Sequence, residues 1–170
     1  MAIQDVLQFG NPLLREPCIE VDDFDGLSVL QTQTDLKDTL HDLQLVHGRG
    51  GGLAAPQIGS QLRIIYINAQ ERSFHLCNPV ISERSKETFE VWDFCFSARA
   101  SFLAQVTRNL RIRVEYQDLS GQKMSEKFEG YFSELLQHEI DHLNGTLFID
   151  HIENTESITM VAEWDRLHGP

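Results

Sequence analysis

At 170 residues the chain has room to bury one substantial core but not two comfortable ones. Apolar and charged fractions of 41% and 24% are ordinary for a globular protein, and no apolar run approaches the roughly 20 residues of a membrane helix, so no membrane partner is expected. Fourteen basic side chains against 26 acidic ones give a formal charge of −12, which repels phosphate backbones and argues against a nucleic-acid partner.

The chain opens Met1-Ala-Ile-Gln-Asp5, without the basic stretch and apolar core of a signal peptide, so a reducing cytoplasmic setting is expected. Residues 1–26 read as irregular, with Asn11-Pro12, Pro17 and acids at Asp22, Asp23 and Asp25. A helix is predicted from Leu27 to His47. Leu36, Leu40 and Leu43 form its apolar stripe, Asp35, Lys37 and Asp42 lie off it, and Gly48 ends it. Strands are predicted at 63–68, 74–76 and 88–96. Ile112, Val114 and Tyr116 alternate with Arg111, Arg113 and Glu115, then meet Ser120-Gly121 and a further strand, which reads as a hairpin. A last strong helix covers Tyr131 to Leu143. The expectation is one α+β domain over 1–170, with mostly antiparallel strands around the helix 131–143 and an acidic C-terminal tail from about residue 153.

Three segments carry chemistry. His138-Glu-Ile-Asp-His142 is an HExxH motif: residues four apart share a helix face, so both imidazoles reach one metal, with Glu139 beside it as a candidate general base. A solvated helix with two surface histidines is the bland alternative. Leu135, Leu136, Ile140 and Leu143 weaken it, because they make the helix apolar over much of its circumference, and buried histidines require partners. The second segment, Gly50-Gly51-Gly52-Leu-Ala-Ala-Pro-Gln57, describes backbone that something approaches closely. It has no GK[ST] and no strand leads into it, so it is no phosphate loop; a tight turn with a surface glutamine is its alternative reading. The third is Asp93-Phe94-Cys95-Phe96-Ser97, at or near a strand end. The other cysteines, Cys18 and Cys77, read as small buried apolar residues, since three irregularly spaced cysteines make no disulfide framework.

Together these segments resemble the three signature motifs of the peptide deformylase family. The pattern GxGxAAxQ is met by Gly50, Gly52, Ala54, Ala55 and Gln57, and QHExDHL by Gln137 through Leu143. EGCLS is met only at Cys95 and Ser97. Asn78-Pro79 and the order and spacing of the motifs also fit, over nearly the whole chain to about His151. The resemblance implies a peptide-deformylase-like fold and one divalent metal held by Cys95, His138 and His142. Fe2+ is the expected ion, with Ni2+, Co2+ or Zn2+ as other occupants. It further implies hydrolysis of an N-formyl amine to formate and a free amine. Glu139 would move the proton, and the Gln57 amide and the Phe96 backbone N–H would hold the oxyanion.

The sequence also departs from the family. Asp93 and Phe94 replace glutamate and glycine before the cysteine, and Gly51 stands where an aliphatic residue is usual. Tyr131, Glu134 and Leu135 lie upstream of His138 on a stretch that is largely apolar in the family and forms the methionine pocket. Glu134 and Tyr131 would make that pocket smaller and more polar, unless Glu134 pairs with Arg99 or Arg108. The expected substrate contacts are therefore Gly50, Gly51, Gly52, Asp93, Phe94, Tyr131, Glu134 and Leu135. The tail after residue 153 carries Glu153, Glu156, Glu163 and Asp165 against Arg166 alone, so ribosome docking through it is not expected. The leading expectation is removal of formyl from formyl-methionyl peptides. The alternatives are a specialised paralogue acting on another N-formyl peptide or small N-formyl compound, and a non-catalytic metal-holding binder of formylated peptides. A zincin-type protease fits less well, because its third ligand lies downstream of HExxH.

Overall fold

A computed structural model describes residues 3–169. Residues 3–26 form no helix or strand apart from a 3-10 turn at Pro12–Arg15, and Gln4 donates to Asp35 and Thr39 of helix α1 (Leu27–His47). Leu36 and Leu40 are fully buried, as the leucine stripe requires. Gly48 adopts a left-handed conformation (φ 65°) and returns its N–H to the Gln44 carbonyl, which stops the helix. Asp35 departs from expectation: it is buried rather than off the face. The N-terminal segment crosses it, and the Gln4 and Gln31 amides donate to its carboxylate.

After α1 come β1 (Gly52–Ala54), β2 (Ile64–Ala69), β3 (Arg72–Arg84), β4 (Thr88–Phe94), β5 (Phe102–Asn109), β6 (Arg111–Gln117) and β7 (Lys123–Glu129). Helix α2 (Tyr131–Leu143) follows, then a two-residue strand β8 (Thr159–Met160) and helix α3 (Val161–His168). One sheet has the order β1-β2-β3-β6-β7 and the other β4-β5-β8, with antiparallel pairing throughout. The fold is α+β. The glycine-rich segment forms a strand: Gly52, Leu53 and Ala54 pair with Ile67, Tyr66 and Ile65. It therefore is no simple turn, and the 3-10 turn Ala55–Ile58 follows it. The predicted strand 88–96 ends at Phe94, because the chain turns at Cys95 into a 3-10 turn, Phe96–Ala98.

Helix α2 contacts β1, β5 and β7. Its Leu136, Ile140 and Leu143 join Ile65, Ile67, Leu76, Ile112 and Val114 in one apolar cluster. Burying that many aliphatic side chains, each worth roughly 1.5–3 kcal/mol, holds α2 between the sheets. Gln137 fixes its register, donating to the Asn109 and Ser133 carbonyls and accepting from the Asn109 N–H. No helix among the described residues is long and apolar enough to cross a membrane.

Candidate active site

The three segments meet at one cleft. Alternation along β4 turns Val91 and Asp93 inward, and Cys95 follows them into the interior. One turn of α2 separates His138 from His142. One potential ligand atom from each of Cys95, His138 and His142 lies within 4.8 Å of the others, and all three residues are buried. The Cys95 sulfur stands 3.2 Å from His142 Nε2. Two N–H donors are aimed at that sulfur, Ser97 N at 3.4 Å and Gln57 Nε2 at 3.6 Å.

His138 Nδ1 is held by Asp93 Oδ1 at 2.8 Å. A carboxylate on one ring nitrogen fixes the tautomer and leaves the other nitrogen, Nε2, free as a ligand. Burial alone would lower the His138 pKa, but the Asp93 carboxylate overrides it and raises the ring well above its ordinary value. The same field that favours a proton favours a metal cation. His142 has no such partner. Burial and the neighbouring His138 push it down to about 3, and its Nδ1 is buried without a hydrogen bond. A soft sulfur and two nitrogens on one wall suit a divalent transition metal with an open position. The unpartnered buried atoms beside them, His142 Nδ1 and Glu139 Oε2, agree with a polar occupant, because such orphans are rare in folded proteins.

Each glycine of the Gly50–Gly52 run makes room for a side chain from elsewhere. Gly50 has φ +92°, and a Cβ there would lie 2.3 Å from the Phe96 ring. A Cβ on Gly52 would meet Glu139 Oε1 at 2.7 Å. One on Gly51 would meet the Tyr131 hydroxyl at 2.4 Å and Leu135 at 3.1 Å. Tyr131 thus fills the place that an aliphatic side chain at position 51 would take. Gln57 is not the surface glutamine of the alternative reading: it is 1% exposed. Its Oε1 accepts from the Ala54 N–H, and its Nε2 faces Ser97 Oγ at 3.3 Å as well as the sulfur. The Phe96 carbonyl accepts from Arg99 N and Gln8 Nε2, while its N–H takes no part in those bonds. Burial pushes the Glu139 carboxyl up to about 7, with Asp93 and Asp141 adding to the rise and His138 opposing it.

The cleft holds about 380 Å³, near the lower end for ligand pockets. Its lining includes every residue expected at the site except His142, which lies deeper, and adds Arg49 and Trp92. Two expectations change. Asp93 borders the cleft, but its carboxylate is turned inward to His138 and Arg108 rather than toward a substrate. Glu134 does not pair with Arg108, whose buried guanidinium is shared by Asp93 at 3.0 Å and Asp141 at 2.6 Å. Asp141 in turn accepts from His151 at 2.9 Å. Sequence reasoning missed this chain of charges. A sign of it was present, because Arg108 shares its strand face with Ala104, the residue that β5 sets opposite Asp93. The acidic tail also has a place. Trp164 of α3 rests on Trp92, with ring centroids 4.5 Å apart, and both Asp165 oxygens lie 2.7 Å from Arg49. Helix α3 thereby braces two residues of the cleft rim.

Comparison with known proteins agrees with this arrangement. Residues 3–157 match the family model described as polypeptide deformylase. The chain is 36% identical over 160 residues to a peptide deformylase of Desulfotalea psychrophila, covering 91% of this chain and 90% of that one. It is 36% identical over 154 residues to one of Heliobacterium modesticaldum, covering 91% and 97%. Among solved structures, the peptide deformylase of Thermotoga maritima superposes with a TM-score of 0.82 at 32% identity, covering 91% of this chain and 100% of that one. That of Synechococcus elongatus in complex with actinonin gives 0.83 at 28%, covering 98% and 86%. With a family model spanning most of its length and relatives above 30% identity over nine-tenths of theirs, the chain belongs to the peptide deformylase family of metal-dependent hydrolases.

Proposed function

We propose that this chain, as one domain with its acidic tail folded back on the cleft rim, removes the formyl group from N-formylated peptide ends. It releases formate and a free amine, and formyl-methionyl peptides are the substrates its family membership brings. The observation that carries the reading is the convergence of Cys95, His138 and His142 beside a buried, unpartnered Glu139 oxygen in one cleft. The three residues would hold one divalent metal, with Fe2+ the ion proposed and Ni2+, Co2+ or Zn2+ as substitutes. When bound, the metal supplies Lewis acidity toward the formyl oxygen and the hydrolytic water. Glu139 takes a proton from that water and returns it to the leaving nitrogen, a task suited to a carboxyl pushed up to about 7. Gln57 Nε2 and the Phe96 N–H donate to the oxygen on which negative charge builds. Gly50–Gly52 present backbone to the substrate, and Phe94, Tyr131, Glu134 and Leu135 border its side chain. Asp93 orients and charges His138. The acidic tail, occupied with Arg49 and Trp92, is not offered to ribosomal RNA, and a cytoplasmic setting fits the free thiols Cys18 and Cys77.

The test is formate release from formyl-methionyl peptides by iron- or nickel-loaded protein, with a Glu139→Gln control. Absence of formate above that control overturns the reading. A second measurement isolates Asp93. Asp93→Asn keeps the shape and removes the charge behind His138, so metal affinity in chelator competition should fall 10–100-fold, the usual effect of losing such a partner. Unchanged affinity would mean that the His138–Asp93 contact serves packing only.

A further inference from the structure

The wall of the cleft along the first turns of α2 carries an acidic side chain without an ion-pair partner among the described residues, and burial pushes its carboxyl up to about 7. Glu134 borders the cleft together with Tyr131 and Leu135. Arg108, whose charge acts on it, is committed to Asp93 and Asp141, and Arg49, which lines the same cleft, is committed to both oxygens of Asp165. Among the described residues the Glu134 side chain makes no ion pair and accepts no hydrogen bond. The Tyr131 hydroxyl stands against Gly51, so a polar atom borders the cleft there, and among the described residues it has no hydrogen-bond partner. Trp92, Phe94, Phe96 and Tyr131 give the same cleft four aromatic side chains.

A carboxylate beside aromatic faces is a setting for a cation. The rings attract positive charge through their quadrupoles, and the carboxylate recovers on binding what it loses in hydration. A thioether or alkyl chain in the same place covers the carboxylate without replacing its water. Glu134 lies one helical turn, about 5.4 Å, from His138, within one side-chain length of a carbonyl seated at the ligand trio. Resting on the deformylase reading, we infer that the cleft accepts N-formyl compounds whose first side chain carries an ammonium or guanidinium group, and prefers them to formyl-methionyl compounds. Glu134 is the residue that sets this preference.

The experiment separates binding from turnover. Calorimetry on nickel-loaded Glu139→Gln protein compares formyl-lysyl, formyl-norleucyl and formyl-methionyl tripeptides with identical second and third residues. Norleucine keeps the alkyl chain of lysine without its charge. The lysyl peptide should bind at least about tenfold tighter than the norleucyl one, the low end for a charge-assisted hydrogen bond. Adding Glu134→Gln should remove most of that ratio, and Glu134→Ile should reverse it in favour of norleucine and methionine. Equal or tighter binding of the norleucyl peptide, or a ratio that survives both substitutions at Glu134, overturns the inference. Formate release by protein with Glu139 intact is read separately: its absence with all three peptides overturns the deformylase reading, while the binding ratio still decides the role of Glu134.

Discussion

Purified protein carrying Cys95→Ala should lose its metal. Structural zinc sites are worth roughly 10–16 kcal/mol at neutral pH. Even the lower figure shared among three ligands gives about 3 kcal/mol each, so affinity should fall by more than about 10²-fold. His138→Ala and His142→Ala should behave alike, since each removes one of three donors grouped within 4.8 Å. The other two cysteines are the controls. Burial pushes the Cys18 and Cys77 thiols up to about 11. Cys18 sits in the apolar cluster under α2, and Cys77 lies in another with Leu53, Ile64 and Tyr66. Neutral thiols in apolar surroundings are poor ligands, so Cys18→Ala and Cys77→Ala should keep full occupancy. Elemental analysis with one chelator-buffered metal distinguishes the cases. Stoichiometric metal in Cys95→Ala protein would remove the cysteine from the site and leave an ordinary two-histidine HExxH centre.

Both long helices were legible residue by residue because their signals are local. An aliphatic stripe repeats within one segment, and Gly48 marks the end of α1. The grouping of Cys95, His138 and His142 was legible because two of them share a helix turn and the third belongs to a recognisable motif. Features that depend on partners distant in sequence were not. Gly52–Ala54 has the composition of a turn and becomes a strand only because Ile65–Ile67 pairs with it. Arg108 is named from the sequence only as a possible partner of Glu134, and it lies on a strand that the pattern never revealed. It is buried because acids from β4 and α2 converge on it. That convergence decides two further points. It turns the Asp93 carboxylate inward, and it leaves Glu134 without Arg108, one of the two partners that the sequence allowed it. Helix α3 is eight residues long, too short to declare itself, and its position depends on Trp92 and Arg49 on the cleft rim.

Glu139→Gln should retain the metal and lose turnover by at least about 10²-fold, the usual contribution of a positioned acid–base group. The geometry makes this a clean substitution. Glu139 is 3% exposed, and its Oε1 side is enclosed by the Gly52 backbone. Glutamine keeps that shape while removing the ability to accept and return a proton. The carboxylate is also separate from the ligand trio, so occupancy should not follow activity down. Gln57→Leu is the companion. It removes the amide that faces Cys95 and Ser97, and lost oxyanion stabilisation should cost roughly 10²–10³-fold in kcat. The two losses differ in kind. Losing the proton carrier slows every substrate whose leaving nitrogen needs a proton, whereas losing the Gln57 donor weakens charge stabilisation and leaves proton transfer in place. Activated formyl esters, whose leaving oxygen needs no proton, should therefore recover only the part of the Glu139→Gln loss that belongs to protonating the leaving group, because Glu139 still has to take the proton from water, and they should recover little of the Gln57→Leu loss. Near wild-type rates on formyl peptides in both metal-loaded variants would show that neither residue takes part in the hydrolysis, and the proton path would have to be sought elsewhere in the cleft.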